Sequence, residues 1–266
     1  MRRSNVEYKN IIIEKREDGI AIVTLNRPKK LNALTTELMS EIEHVTEEFQ
    51  SDTESRVVIF TGAGKIFSAG RDLTEPPLRT TVLGRQRAMQ NGPRMIRKLF
   101  NMEQITIAAI NGGALGGGAC IAAALDFRIG DEECYAGFPE SRLGMSLSWT
   151  ALPLVVHLIG PTYAKEMVIL GKNNDAQTLL KWGFLSEVVS KEKLLDRAIE
   201  IAKEYAAMPP IPAQMIKKSV NNISSALDNA IMHMDMDQLM LTLGTDDLKE
   251  GIAAFFGKRK GDYKGN

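Results

Sequence analysis

The chain has 266 residues, 44% of them hydrophobic and 25% charged, and its 33 Lys and Arg balance 33 Asp and Glu. That composition supplies a substantial core and excludes a disordered tail protein, and the length suits one large domain or two small ones. Zero net charge argues against a nucleic-acid binder, whose affinity needs a basic excess, and leaves room for a small anionic ligand on a local basic patch. The β-branched runs 6–15 and 20–25 flank Glu17-Asp18-Gly19, a turn signal, and predict two neighbouring strands before Pro28 ends the extended structure. Leu38, Ile42, Val45 and Phe49 recur at helical spacing. Thr35 or Thr36 serves as the cap of that helix, with Glu37 at the positive end of its dipole.

Residues 56–61 (RVVIFT) predict a buried strand that opens through Gly62-Ala63-Gly64 into a loop running to Gly70. A second buried strand, 105–110 (ITIAAI), precedes a glycine cluster at 112–118 and an alanine-rich helical stretch to Leu125, and 127–129 reads as a third. The alternation predicts an α/β fold with parallel strands covered on both faces. From about Gly160 the pattern turns helical, over 162–170, 176–181, 191–207, 212–222, 225–243 and 245–256. The expected organisation is a sheet-rich core over 1–200 and a helical region over 201–266, whose amphipathic helices need a partner surface.

No apolar signal-peptide core opens the chain, and no uncharged apolar run approaches the ~18 residues that span a bilayer, so no membrane segment is expected. With only Cys120 and Cys134, no disulfide framework is implied and the expected setting is reducing and cytoplasmic. His44, His157 and His233 lack ligand spacing and read as surface or packing residues, so no metal site is expected.

Two loops follow buried strands: Phe67-Ser68-Ala69-Gly70-Arg71-Asp72-Leu73 and Asn111-Gly112-Gly113-Ala114-Leu115-Gly116-Gly117-Gly118. Ligands in parallel α/β folds sit at that strand edge, and side-chain-free glycines let backbone N–H groups approach a bound oxygen. A triple glycine serves equally well as a close-packed helix start. The spacings of a phosphate loop and of a dinucleotide fingerprint are absent. A third feature, Gly137-Phe138-Pro139-Glu140, sets a carboxylate beside apolar neighbours, where desolvation would raise its pKa toward neutrality; an ordinary solvated loop residue is the alternative.

Together the segments LNRPKKLNAL (25–34), FSAGRDL (67–73), AAINGGALGGGACIAAALDFRI (108–129), FPESRLG (138–144) and EGIAAFFGKRKGDYKG (250–265) resemble, in order and over nearly the whole chain, the crotonase superfamily of enoyl-CoA hydratases and isomerases. The resemblance implies a spiral of ββα units and trimers or dimers of trimers assembled through the helical C-terminal region. The implied substrate is an acyl-CoA thioester, with coenzyme A a part of the substrate and no permanently bound cofactor. It places the two N–H groups that polarise the thioester carbonyl on Arg71 and Gly117. Ala69, Arg71, Asp72 and Leu73 would line the adenine pocket, Arg27 and Lys29 would lie near the CoA phosphates, and Phe255 and Lys258 would complete a neighbouring subunit's CoA site. Of the two glutamates of hydratases, the second matches Glu140, whereas Cys120 stands at the first. One carboxylate suffices to move a proton from C2 to C4 of a 3-enoyl-CoA, so isomerisation with Glu140 as base is the favoured expectation. A hydratase, lyase or thioester hydrolase using another group, such as Asp72 or Asp126, and a non-catalytic acyl-CoA binder are the alternatives. Trp149, Met145 and the segment 75–78 are expected to shape the acyl pocket or to be packing residues. Arg79, Arg85 and Arg87 follow Pro76-Pro77 in a segment expected to cover the site.

Overall fold

The structure, a computed structural model, describes residues 8–76 and 81–266, without the side chain of Asn229. Nine strands occur among the described residues: β1 (Ile11–Lys15), β2 (Ile20–Leu25), β3 (Val57–Gly62), β4 (Ile105–Ile110), β5 (Gly113–Leu115), β6 (Phe127–Asp131), β7 (Tyr135–Gly137), β8 (Asn174–Asp175) and β9 (Glu187–Val189). The main sheet has the order β1-β2-β3-β4-β6-β9, antiparallel between β1 and β2 and parallel elsewhere. A small second sheet, β5-β7-β8, is extended by a bridge between Ser68 and Ala114.

The helices are α1 (Thr36–Gln50), α2 (Val82–Ala88), α3 (Asn91–Phe100), α4 (Gly117–Ala124), α5 (Ala151–Leu170), α6 (Ala176–Trp182), α7 (Leu194–Ala206), α8 (Pro210–Ser224), α9 (Asn229–Met232), α10 (Asp235–Thr242) and α11 (Asp246–Phe256). β4 passes into β5 and then α4; β6 passes into β7 and, through a 3-10 turn, into α5. Each unit therefore lays one strand in the large sheet and one in the small sheet before its helix returns. Repetition of that step is the expected spiral of ββα units.

Two-sided burial explains the continuous apolar strands. Successive side chains of a strand point to opposite faces. Ile20 and Ile22 of β2 pack with Ala198 and Ala202 of α7, whereas Ala21 and Val23 join the core that contains Leu38 and Ile42 of α1. α1 starts as expected, with Thr35 Oγ1 accepting from Leu38 N at 3.1 Å.

Several elements differ from expectation. α5 begins at Ala151, well before residue 162, and is broken at Gly160 (φ 73°, ψ 164°) ahead of Pro161. Pro153 sits in its first turn, where a missing N–H costs nothing. The segment 225–243 is two helices, α9 and α10, rather than one. α7 (Leu194–Ala206), by contrast, falls within the expected helix 191–207. The Pro- and Arg-rich segment folds from Val82 as α2, capped by Thr81, whose Oγ1 accepts from Gly84 N at 3.1 Å; Arg79 and Leu78 lie outside the described residues.

Candidate active site

The two glycine-bearing loops are stitched together by their own backbones. Leu34 N donates to Gly70 O at 2.8 Å and Asp72 N to Leu34 O at 3.0 Å, a parallel bridge that leaves the Arg71 N–H facing away from Leu34. Ser68 N donates to Gly113 O at 3.0 Å, and Leu115 N to Ser68 O at 2.9 Å. The approach is so close that a Cβ on Gly70 would lie 2.5 Å from Leu115 O and 3.1 Å from Gly117 N. Gly117 opens α4, where a first-turn N–H has no partner inside the helix. Among the described residues, neither the Arg71 nor the Gly117 N–H makes a hydrogen bond. Two free backbone donors thus stand on adjoining loops.

Glu140 lies in the 3-10 turn Pro139–Leu143, which follows β7. Ser141 Oγ donates to Ile169 O at 2.9 Å and Met145 N to Glu140 O at 2.9 Å, which fixes the turn at both ends. The carboxylate faces Gly116, whose backbone (φ 51°, ψ −119°) is one that glycine alone adopts readily, and a Cβ there would stand 2.9 Å from Glu140 Oε1. Glu140 Oε2 is sealed from solvent without a hydrogen-bond partner. Desolvation pushes the Glu140 pKa up to about 7.

Arg71, Asp72, Leu73, Gly117, Cys120 and Glu140 all line one cavity of about 320 Å³. Met39, Met89, Met145, Trp149, Leu239 and Leu243 give it an apolar wall. Of its three carboxylates, two are fully engaged. Asp72 accepts from Thr74 Oγ1 (2.6 Å), Thr74 N (3.1 Å) and Arg27 Nη1 (3.3 Å), and Thr74 and Arg27 hold its pKa below the usual carboxylate range. Glu75 accepts from Thr36 N at 3.0 Å and Thr36 Oγ1 at 3.1 Å, and its ion pair with Arg71 closes to 2.6 Å. Glu140 alone lacks a partner for a buried oxygen. Cys120 is buried beside it, and burial, then the charges of Glu140 and Asp235, raise its thiol pKa well above the ordinary value. A protonated thiol of that kind is no nucleophile near neutrality.

The other residues expected to meet the CoA moiety, and the remaining candidates, lie off this cavity. Ala69 N donates to Leu31 O at 2.9 Å, and Ala69 does not line the cavity. Arg27 binds Asp72 and the Ala33 carbonyl and borders a shallow surface depression with Lys29 and Lys30. Phe255 and Lys258, exposed at the end of α11, also lie off the cavity. Asp126 accepts from Thr106 N and pairs with Lys217 Nζ, each at 2.7 Å, and is structural. His44 meets Tyr8 and His157 meets Asp228, at 2.7 and 2.9 Å. Among the described residues no His, Cys, Asp and Glu cluster could hold a metal ion, and no helix is long and apolar enough to cross a membrane. Sequence reasoning missed Met89, Leu239 and Leu243, which helical spacing alone cannot send to a cavity, and Asp235, which reaches Thr150 across 85 residues.

The family model described as enoyl-CoA hydratase/isomerase matches residues 15–266. The chain belongs to the enoyl-CoA hydratase/isomerase family. It is 34% identical over 256 residues to the short-chain-enoyl-CoA hydratase of Clostridium acetobutylicum, covering 96% of this chain and 97% of that one. The crotonyl-CoA hydratase of Syntrophomonas wolfei is 32% identical over 258 residues, covering 96% and 98%. Among solved structures, an enoyl-CoA hydratase from Bacillus anthracis superposes with a TM-score of 0.78 at 32% identity, over 97% of this chain and 100% of that one. An enoyl-CoA hydratase/isomerase from Pseudoalteromonas atlantica shares the fold, with a TM-score of 0.86 at 23% identity over 96% of this chain and 100% of that one. The protein is thus a crotonase-superfamily enzyme, and membership implies a CoA thioester substrate.

Proposed function

We propose that this enzyme shifts the double bond of a 3-enoyl-CoA to the 2-position, with Glu140 carrying the proton and the Arg71 and Gly117 N–H groups holding the thioester oxygen. The observation that carries the reading is the one cavity carboxylate with an unpartnered buried oxygen, beside Cys120, which stands where the resemblance places the first glutamate of hydratases. Glu140 takes a proton from C2, and the C–H electron pair moves onto the thioester oxygen as a dienolate. The two backbone donors stabilise that charge more than the ground-state carbonyl, which is what lowers the barrier. Protonated Glu140 then returns the proton to C4, and the double bond settles between C2 and C3. A pKa of about 7 suits a group that must both accept and release a proton near neutrality.

Arg27 and Lys29 would meet the CoA phosphates, and Ala69 to Leu73 the adenine. Exposed Ile216, Val220 and Ile223 share one face of α8, and exposed Leu227 follows just beyond it, which supports self-association through residues 201–266 against the core of 1–200. In a trimer or dimer of trimers, Phe255 and Lys258 would serve a neighbouring subunit's CoA. The two free cysteines fit a reducing cytoplasm.

Hydration is the second reading, favoured by the relatives named as hydratases. Turnover of a 3-enoyl-CoA and of a 2-enoyl-CoA in heavy-oxygen water and in deuterated water separates the two. Isomerisation gives a 2-enoyl product without heavy oxygen and with hydrogen exchange at C2 or C4; hydration gives a 3-hydroxyacyl product carrying the heavy oxygen. Full activity in Glu140→Gln would remove Glu140 from either scheme.

A further inference from the structure

Downstream of Glu140 the chain makes a turn that none of the chemistry above uses. Trp149 (φ 68°) and Thr150 (φ 58°) are consecutive non-glycine residues in the left-handed region, a strained arrangement that persists only where its surroundings enforce it. The enforcing group is Asp235 at the start of α10, whose carboxylate accepts from Thr150 N at 3.1 Å. Thr150 Oγ1 also donates to Trp149 O at 2.6 Å.

The turn wedges the Trp149 ring between two glycine backbones. A Cβ on Gly92 of α3 would lie 2.2 Å from the indole Cε2, and one on Gly117 would lie 2.4 Å from Cζ3. The indole therefore spans from α3 to the residue whose N–H faces the cavity, and it forms part of the cavity wall. Met89 and Met145 on the same wall are flexible side chains that repack around a ligand, whereas a ring clamped between two backbones does not. With a thioester oxygen on the Gly117 N–H, the carbons next to that carbonyl run within contact of this ring.

We propose that Trp149 is the specificity-determining residue for acyl length, the rigid wall that stops the chain, and that Asp235 is the positioning residue that holds the wall in place. The inference rests on the reading of Arg71 and Gly117 as the thioester-oxygen site and names the substrate class for it: short, straight-chain enoyl thioesters. The cavity of about 320 Å³ stands at the small end of the ~300–1,000 Å³ usual for small-molecule sites.

The test is calorimetric binding of butyryl-, octanoyl- and dodecanoyl-CoA, saturated esters that do not turn over, to the full chain and to four variants. Wild type should bind butyryl-CoA well and dodecanoyl-CoA poorly. Trp149→Ala should move the dodecanoyl-to-butyryl affinity ratio toward the long ester by about tenfold or more, and Trp149→Phe should keep the wild-type order. Asp235→Ala should shift the ratio the same way by less, and Asp235→Asn, which keeps an acceptor oxygen, should restore it. Should Trp149→Ala fail to fold, the Asp235 pair still decides, because a loss of stability alone does not change a ratio of affinities. An unchanged ratio in both alanine variants overturns the proposal. Equal binding of all three esters by wild type removes the wall and leaves the thioester site standing, whereas binding of none of them removes the thioester site itself.

Discussion

The loop after β3 and the 3-10 turn after β7 each bring a carboxylate to the same cavity and treat it in opposite ways. Asp72, on the loop, is surrounded by Thr74 and Arg27 and held ionised. Glu140, on the turn, faces a glycine and has a buried oxygen with no partner, so burial drives it toward the neutral form. Within one cavity, the chain supplies donors to the carboxylate that shapes the loop and withholds them from Glu140. Divergence of this kind between two carboxylates is how a fold assigns their roles.

The comparison breaks most visibly at Glu140. Glu140→Gln should lower turnover by about 10³-fold while leaving the affinity for saturated acyl-CoA esters unchanged, which steady-state kinetics and calorimetry would separate. In wild type, the base form of Glu140 grows as pH rises. The value of kcat/KM should therefore climb about tenfold per pH unit below an apparent pKa near 7 and level off above it; a flat profile from pH 5 to 8 would remove Glu140 as the base.

Stability should show the same contrast with opposite signs. Glu140 has a folded pKa above its unfolded value, so its stabilising contribution is present at low pH and is lost as pH rises through about 7. Denaturant titrations should find Glu140→Gln more stable than wild type at pH 8 by up to about 3 kcal/mol, with the gain vanishing toward pH 4. Asp72 has a depressed folded pKa, so its contribution is present above the unfolded value and is lost as pH falls through the folded one. Asp72→Ala should cost about 2 kcal/mol at pH 7 and progressively less in acid, without moving the midpoint of the kcat/KM profile. The smallest effect belongs to Cys120. Cys120→Ala should cost about 1 kcal/mol of packing and change turnover only severalfold, and iodoacetamide should leave the native thiol unlabelled.

What the sequence disclosed depended on range. The long strands of the main sheet were readable because two-sided burial makes each a continuous apolar run, and α1 because Thr35 caps a regular stripe. β5, β7 and β8, two or three residues each, carry no periodicity, so the small sheet under the glycine loops was invisible. α3 escaped because Gly92-Pro93 reads as a break, although proline is tolerated in a first turn and Met95, Ile96 and Leu99 face the core. At the site, Glu140, Arg71 and Gly117 could be named from short segments. That Glu140 is left unpaired, and that Asp235 governs the turn at Trp149, are facts of distant contact that no local pattern encodes.

Glu75 has one more consequence. Its carboxylate joins Arg71 at the cavity rim and also satisfies the N–H and hydroxyl of Thr36 in the first turn of α1. This edge of the cavity is therefore latched to the first turn of α1, the helix that also supplies Met39 to the cavity wall. A thioester that pushes the segment 71–76 outward must release that turn, at a cost of about 1 kcal/mol, or roughly a factor of five in affinity.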